Sequence, residues 1–134
     1  MTIESTIGGL IARIAWDHDH HAGRGVANFF TDEGIYHPPT GEPIRGKAAI
    51  AHFFNSRDLG DRIARHIFTN VAILVASEFE IQAASIMTVY AGNGPGPHPA
   101  TPSVVLDCSD SFERINGDWL IKYRRLNIVF RTTK

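Results

Sequence analysis

The residues best suited to chemistry near the N-terminus form a run of acidic and imidazole side chains, Asp17-His18-Asp19-His20-His21. If this run is helical, Asp17 and His21 lie one turn apart on the same face, a spacing that can chelate a metal ion. The simpler interpretation is a helix C-terminus, where the helix dipole favours histidine and the side chains are solvated. Because the run matches neither H-E-x-x-H nor a facial triad, we predict no metal site. We expect instead that one acidic residue packs against a sheet.

A second candidate is His66, which lies in the segment Ala64-Arg65-His66-Ile67-Phe68-Thr69-Asn70. In a strand, His66 shares a face with Phe68 and Asn70, whereas Ile67 lies on the opposite face. A lone histidine on such a strand is commonly a structural group with satisfied hydrogen bonds. If a carboxylate contacts it, however, the carboxylate fixes the tautomer and stabilises the imidazolium, and a partly buried histidine then becomes an efficient general base.

Further side chains could line a ligand pocket. The potential hydrogen-bond donors are Tyr36, His37 and Tyr90, and the potential aromatic walls are Trp16, Phe53, Phe54, Phe68 and Trp119. Each of these residues, taken alone, is equally compatible with ordinary packing in a core or at its rim.

Two segments near the C-terminus add polar candidates. Cys108 and Asp110 alternate onto one face of a predicted strand, and Arg125 shares a face of the last strand with Tyr123 and Asn127. Arg125 could pair with Asp110 or contact an anionic group of a ligand. Because no basic neighbour in sequence would lower the pKa of Cys108, we interpret Cys108 as a small buried residue rather than a nucleophile.

The elements that must position these side chains change in type along the chain. Apolar residues at the spacing of one helical face predict a helix from Ile3 to about His18 or Asp19. A short helix over 26–30, a turn over 31–34, a brief strand over 35–37 and a helix from Gly46 through Phe54 follow.

After Gly60 the apolar period changes from 3.6 to 2, which predicts long strands over 62–76, 79–91, 103–115 and 118–131. Asn116-Gly117 is a strong hairpin signal, and the Gly- and Pro-rich segment 92–102 is predicted to be irregular. Helices followed by such strands indicate an α+β fold in which a curved antiparallel sheet wraps around N-terminal helices. We expect a cone-shaped pocket between sheet and helices.

Length and composition exclude several classes of protein. The 134 residues suit one domain over 1–134, and 13 Lys and Arg against 14 Asp and Glu argue against a nucleic-acid binder. Cys108 is the only cysteine, so neither a disulfide framework nor a cysteine-based zinc site is possible. The sequence also lacks a signal-like start and any apolar run long enough to cross a membrane. We therefore expect a cytoplasmic protein that does not bind membranes.

The chain resembles the SnoaL-like branch of the nuclear transport factor 2-like (cystatin-like α+β) superfamily, which includes scytalone dehydratase. The resemblance covers about residues 3–131. The segments that carry it are Phe30-Thr31-Asp32-Glu33-Gly34-Ile35-Tyr36, Ile44-Arg45-Gly46-Lys47-Ala48-Ala49-Ile50, Arg65-His66-Ile67-Phe68-Thr69-Asn70 and Asn116-Gly117-Asp118-Trp119-Leu120-Ile121. This superfamily contains dehydratases, dehydrohalogenases, isomerases, cyclases and non-catalytic binding proteins, so the fold alone does not imply one activity.

The resemblance implies a specific pair of residues. Scytalone dehydratase pairs an Asp from the end of its first helix with a His from a sheet strand, and Asp19 and His66 fall at those positions. The remaining set differs: His18 stands in place of a Tyr, Tyr90 aligns approximately with a second His, and Cys108 with a pocket Asn. The base pair is thus retained, whereas the surrounding acids are not.

Three hypotheses follow. The first is a lyase or isomerase without a cofactor, acting on a small apolar molecule, with His66 as base, Asp19 as its partner, and Tyr90, Tyr36 or His18 as hydrogen-bond donor. Trp16, Phe53, Phe68, Cys108, Asp110 and Arg125 would then contact the substrate. The second is a non-catalytic binding module with the same pocket, and the third is metal binding by His18, His20 and His21. The resemblance also implies a homodimer formed through the outer face of the sheet.

Overall fold

The computed structural model describes residues 1–132, which form two α-helices, a short 3-10 helix and six strands. The helices are α1 (Ile3–His20) and α2 (Lys47–Asn55), and the 3-10 helix spans Val26–Phe29. The strands are β1 (Phe30–His37), β2 (Ile44–Arg45), β3 (Arg62–Ala76), β4 (Glu80–Asn93), β5 (Val104–Ile115) and β6 (Asp118–Arg131). The predicted α+β class, with helices first and long strands last, is confirmed.

The six strands form one open sheet in the order β2-β1-β6-β5-β4-β3. The four long strands make the predicted antiparallel meander, and β2 pairs with β1 in the antiparallel sense. β1, however, runs parallel to β6, so the sheet is mixed. A parallel neighbour is possible here because β1 and β6 are far apart in the chain and no hairpin dictates their relative direction.

Helix α1 lies against β3 and presents its apolar face to the sheet. Ile7, Ile11 and Ile14 are buried on that face, at the spacing from which the helix was predicted. The Oγ1 of Thr2 accepts a hydrogen bond from the main-chain N–H of Ser5 (3.1 Å) and so caps the N-terminus. Burial of one helix face fixes the rotation of α1 about its axis, and with it the direction of the side chains in its last turn.

The strands alternate between an inner face, which is covered by the helices, and an outer face. In β4 the inner residues are Ile81, Ala83, Ser85, Met87 and Val89. In β3 the pairing with β4 shifts between Thr69 and Ala72, where Asn70 adopts a positive φ of 55°. Such irregularities bend a strand, and the bend helps the sheet to curve around the helices.

The segment 31–34, predicted as a turn, lies inside β1 instead. The pairing of β1 with β6 shifts register between Phe30 and Ile35. Residues 31–34 therefore stay within the strand although they do not pair regularly with β6. The backbone of Gly34 approaches β6 so closely that an added Cβ would lie 3.1 Å from the carbonyl oxygens of Ile121 and Thr31.

This crowding predicts opposite effects of alanine at two glycines. Gly34→Ala should destabilise the fold by about 1–3 kcal/mol, because backbone carbonyls cannot move aside as flexible side chains can. Gly9→Ala, on an exposed turn of α1 with open space around it, should stabilise by about 0.5–1 kcal/mol through helix propensity. Urea denaturation measures both, and a Gly34→Ala protein as stable as the original would contradict the packing described.

Candidate functional site

Asp19, in the last turn of α1, contacts His66 of β3 through both of its carboxylate oxygens. The Oδ1 atom lies 2.5 Å from the ring Nδ1 of His66, and Oδ2 accepts the main-chain N–H of the same residue at 3.0 Å. The two side chains are only 5% and 9% exposed. The contact with a carboxylate assigns the ring proton to Nδ1, so Nε2 is the nitrogen left to accept a proton.

Burial alone would raise the pKa of the Asp19 carboxyl group. The hydrogen bonds from the ring and the main chain of His66 outweigh this effect and hold its pKa below the usual value. Asp19 is therefore ionised at neutral pH, and its negative charge lies where an imidazolium at His66 would form.

His18, the residue before Asp19, forms a wall of the same site. Its ring stacks on the ring of His66, with centroids 4.1 Å apart, and meets Phe54 edge-on at 5.6 Å. Its Nε2 lies 3.3 Å from Nη2 of Arg57, which can only donate, so the neutral ring carries its proton on Nδ1. Burial, with added repulsion from His66 and Arg57, lowers the pKa of His18 to about 3. His18 can thus donate only as a neutral N–H group at physiological pH.

A cavity of about 390 Å³ lies between the inner face of the sheet and the helices, and His66 and His18 reach it from one side. Most of its wall is apolar, and includes Ile14, Val26, Phe30, Phe53, Phe54, Phe68, Met87, Val89, Leu106 and Leu126. Its polar lining includes His18, Tyr36, Thr40, Arg57, Arg62, His66, Ser103 and Arg124. An apolar chamber with a few converging polar groups is typical of small-molecule sites.

Arg124 of β6 supplies a buried positive charge to the cavity wall. Its Nε and Nη2 donate to the two carboxylate oxygens of Asp110 at 2.7 and 2.9 Å. Burial would lower the pKa of Arg124, but attraction to Asp110 outweighs burial and raises it. Cys108 lies behind this pair and donates from Sγ to Asp110 (3.5 Å), and burial raises the pKa of its thiol to about 12. Cys108 is therefore a poor nucleophile.

Tyr36 of β1 offers the cavity a phenolic hydroxyl group. Burial raises its pKa to about 12, so the hydroxyl stays protonated and can donate. No group within residues 1–132 forms a hydrogen bond with this hydroxyl. A ligand oxygen in the cavity could therefore accept from it.

The structure brings together most, but not all, of the residues predicted to surround a ligand. Those that line the cavity are His18, Tyr36, Phe53, Phe68 and His66, while Asp19 supports His66, and Cys108 and Asp110 support Arg124. Trp16 does not line it: its side chain is 61% exposed and stacks on His20 (3.8 Å) outside the cavity.

The expectation that Tyr90 and Arg125 face the cavity is wrong in both cases. Tyr90 follows Val89, an inner residue of β4, and strict alternation places it on the outer face beside His98. Arg125 is exposed because the pairing of β5 with β6 shifts register between Ser111 and Phe112. That shift exchanges the two faces of the strand, so that Arg124 points inward instead.

Five polar residues of the cavity wall were not predicted from the sequence: Thr40, Arg57, Arg62, Ser103 and Arg124. In β6 alternation from Ile121 predicts that Arg125 points inward, whereas alternation from Leu126 predicts that Arg124 does, and the sequence does not show where the phase changes. Arg57 lies beyond the end of α2, where no periodicity applies. The apolar run in α2 that places Phe53 and Phe54 in the wall was the one available signal, because Arg57 packs on those rings.

The run 17–21 does not converge on one point. Asp17 and His21 are 4.0 Å apart near the surface, whereas His18 and Asp19 face the interior. In the part of the chain that the structure describes, no three His, Cys, Asp or Glu side chains are grouped as metal ligands would be. Nor does any helix there combine the length and apolar character that a membrane crossing needs.

Comparisons with known proteins agree with this architecture. Residues 1–125 match the family described as SnoaL-like domain. A search of curated proteins finds no match.

Solved structures with the same fold include ActVI-ORFA from Streptomyces coelicolor, which is 21% identical with a TM-score of 0.82 over 94% of this chain and 96% of its own. A protein from Catenulispora acidiphila, solved in complex with S-DNPA, is 24% identical with a TM-score of 0.78 over 94% and 92%. An ntf2-like protein with a cystatin-like fold from Novosphingobium aromaticivorans is 17% identical with a TM-score of 0.76 over 94% and 81%.

The low pKa of His18 predicts a loss of stability on mild acidification. The unfolded chain binds a proton at this histidine below about pH 6.5, whereas the folded chain does so only near pH 3. Burial of neutral His18 therefore costs no free energy of unfolding above pH 6.5, whereas the free energy of unfolding decreases as the pH falls from 6.5 towards 3. From pH 7.5 to pH 5 this one group should remove roughly 2 kcal/mol. Urea denaturation at both pH values measures this loss of stability. The loss should be smaller in His18→Gln than in the wild type, and unchanged in His52→Gln, which replaces an exposed histidine and is the control. Equal losses in all three proteins would contradict it.

The ion pair in the cavity wall predicts a second contrast. Asp110→Ala should cost roughly 3–5 kcal/mol, because it leaves the Arg124 guanidinium buried without its counter-charge. Glu80→Ala breaks a pair of similar length with Lys122 (2.9 Å), but both side chains are more than half exposed, and the expected cost is much smaller because solvent screens the pair. Denaturation midpoints test this difference, and Asp110→Asn serves if the alanine variant does not fold. Equal costs at the two pairs would refute the assignment of Arg124 as a buried charge.

Proposed function

The chain belongs to the SnoaL-like domain family, and from that premise we propose that it is a lyase or isomerase that needs no cofactor and acts on a small, largely apolar molecule. The observation that supports this proposal most directly is the contact between Asp19 and His66 at the wall of an apolar cavity. A carboxylate that holds an imidazole by Nδ1 leaves Nε2 as a proton acceptor.

The proposed reaction begins with removal of a proton from a carbon next to an activating group such as a carbonyl. Nε2 of His66 takes the proton, the C–H electron pair moves towards the activating group, and Asp19 stabilises the imidazolium. The same proton can then return to a different carbon, which is an isomerisation, or leave with a hydroxyl group, which is a dehydration.

The negative charge that develops on the substrate oxygen needs donors, and the cavity offers two kinds. The Tyr36 hydroxyl is protonated and has no partner within residues 1–132, and the Arg124 guanidinium is a fixed positive charge. These groups act in place of Tyr90, which faces away. General-base assistance contributes about 10²–10⁴-fold, so donors held in a dry cavity must supply much of any larger rate enhancement.

The alternative is a binding module that performs no chemistry. The observation that favours it is the reduced set of acids: Tyr90 lies outside, and His18 has too low a pKa to act as an imidazolium acid. The protein from Catenulispora acidiphila, solved with S-DNPA, supports small-molecule binding in this fold and is compatible with either function.

We propose also that the protein is a homodimer. Support comes from large apolar side chains that are exposed on the sheet, among them Ile63, Ile67, Leu74, Val75, Val129 and Phe130. The cytoplasmic location expected from the sequence stays a prediction.

Proton abstraction can be tested without the natural substrate. In D2O, the wild-type protein should accelerate deuterium incorporation next to the carbonyl of 2-tetralone or 1-indanone, small apolar ketones, as followed by proton NMR. His66→Ala should lower the enzyme-dependent rate by about 10²–10⁴-fold, since the neighbouring His18, with a pKa of about 3, is too weak a base to replace it. Asp19→Asn should also lower it, because the amide no longer fixes the productive tautomer. His52→Ala removes an exposed histidine of α2 and is the matched control.

The two functions give different results in this experiment. Exchange that persists in His66→Ala would refute the assignment of the base. Binding of both ketones, with no acceleration by the wild type and equal affinity in His66→Ala, would establish the binding module instead.

A further inference from the structure

A second positive charge lies at the cavity, and the proposed reaction does not use it. Arg57 follows α2, is half-buried, and lines the cavity with its guanidinium 5.0 Å from the ring centre of Phe54. Within residues 1–132, only its Nη2 makes hydrogen bonds, to Nε2 of His18 (3.3 Å) and the carbonyl oxygen of Ala22 (3.4 Å). Both are long. The Nε atom of Arg57 is shielded from solvent and finds no hydrogen-bond partner in the part of the chain that the structure describes.

The charge of Arg57 is also uncompensated. Across residues 1–132, no carboxylate lies within 4.0 Å of Arg57, nor of Arg62, a second guanidinium that lines the same cavity. Arg124 differs in that Asp110 neutralises it. Burial lowers the pKa of Arg57, and repulsion from Arg62 adds to this, but a guanidinium remains charged at any physiological pH. A partly desolvated cation with a free donor favours binding of an anion.

Holding His18 does not account for this arrangement. One long hydrogen bond to His18 uses a single nitrogen of the guanidinium, and a neutral donor such as an amide could make it equally well. The unpartnered Nε, the neighbouring Arg62 and the opening of both side chains onto the cavity remain unexplained by a purely structural role.

We propose that the ligand of this cavity is an apolar carboxylic acid whose carboxylate binds Arg57, with Arg62 adding attraction. The fork of a guanidinium matches the two oxygens of a carboxylate, while the apolar body of the ligand would fill the Phe-rich chamber. The reacting carbon of this acid would lie at His66, and this part of the proposal rests on the proposed function. The ring of His18 bonds to Arg57 and stacks on His66, so anion and base are separated by about one imidazole ring. One small molecule can reach both.

Paired probes test the carboxylate. Isothermal titration calorimetry at pH 7.5 and low salt would compare trans-cinnamate with cinnamamide, a neutral molecule of nearly the same shape. The wild type should bind cinnamate at least tenfold more tightly, as expected for a charge-assisted hydrogen bond in a partly buried site. Arg57→Gln should abolish this preference while leaving affinity for the amide within about twofold. Arg13→Gln, which removes an exposed arginine of α1, is the control and should retain it.

Several results would overturn the proposal: equal affinity of the wild type for both probes, no measurable binding of cinnamate, or a preference that survives Arg57→Gln. If Arg57→Gln does not fold, Arg57→Lys decides. That variant should keep a weaker preference for cinnamate over cinnamamide. The preference of the wild type should also decrease when the NaCl concentration is raised from 20 to 500 mM. A preference insensitive to both changes would equally refute the role of Arg57.

The same titrations separate this inference from the proposed function. His66→Ala should retain the preference for cinnamate, because the base does not contact the carboxylate. A protein that prefers the anion yet shows no His66-dependent exchange of ketone protons would retain the carboxylate subsite and lose only the catalytic role.

Discussion

The site depends on one carboxylate that joins a helix end to a strand. Asp19 accepts from both the ring and the main chain of His66, and it can do so only because the buried isoleucines of α1 fix the rotation of the helix. Two hydrogen bonds to one residue hold the carboxylate more firmly than one would, and they outweigh the cost of burying its charge. Packing of α1 thus determines the position of an ionised group, and that group orients the imidazole.

Charge in the rest of the cavity is arranged around this pair. Burial, with added repulsion from His66 and Arg57, lowers the pKa of His18, so that its ring is neutral where it stacks on the ring of His66 at 4.1 Å. Arg124 brings a cation whose charge Asp110 balances within the wall. Arg57 brings one that nothing in residues 1–132 balances. Within residues 1–132, the cavity thus combines an imidazole whose Nε2 can accept a proton with the Arg57 guanidinium, which, like that of the exposed Arg62, has no carboxylate within 4.0 Å.

The fold was predictable from sequence because its signals are periodic and numerous. The spacing of apolar residues gave α1 and the four long strands nearly to the residue, and the resemblance to the SnoaL-like family supplied the pairing of Asp19 with His66, which spacing alone could not. The errors concern the face of a strand on which a polar residue lies. In β6 the apolar residues Ile121 and Leu126 predict opposite faces for Arg125, and the register shift that decides between them cannot be located from the sequence. In β4, by contrast, alternation is unbroken, and the apolar residues Met87 and Val89 already placed Tyr90 on the outer face.

The bond from the main chain at position 66 to Asp19 has a consequence for how such a site can change over time. An amide N–H is present whatever side chain the residue carries, provided that it is not proline. Asp19 can therefore keep its main-chain hydrogen bond in homologues in which another side chain replaces the imidazole at position 66. A single substitution back to histidine would then restore the contact between the two side chains, because the junction of helix and sheet had stayed in place.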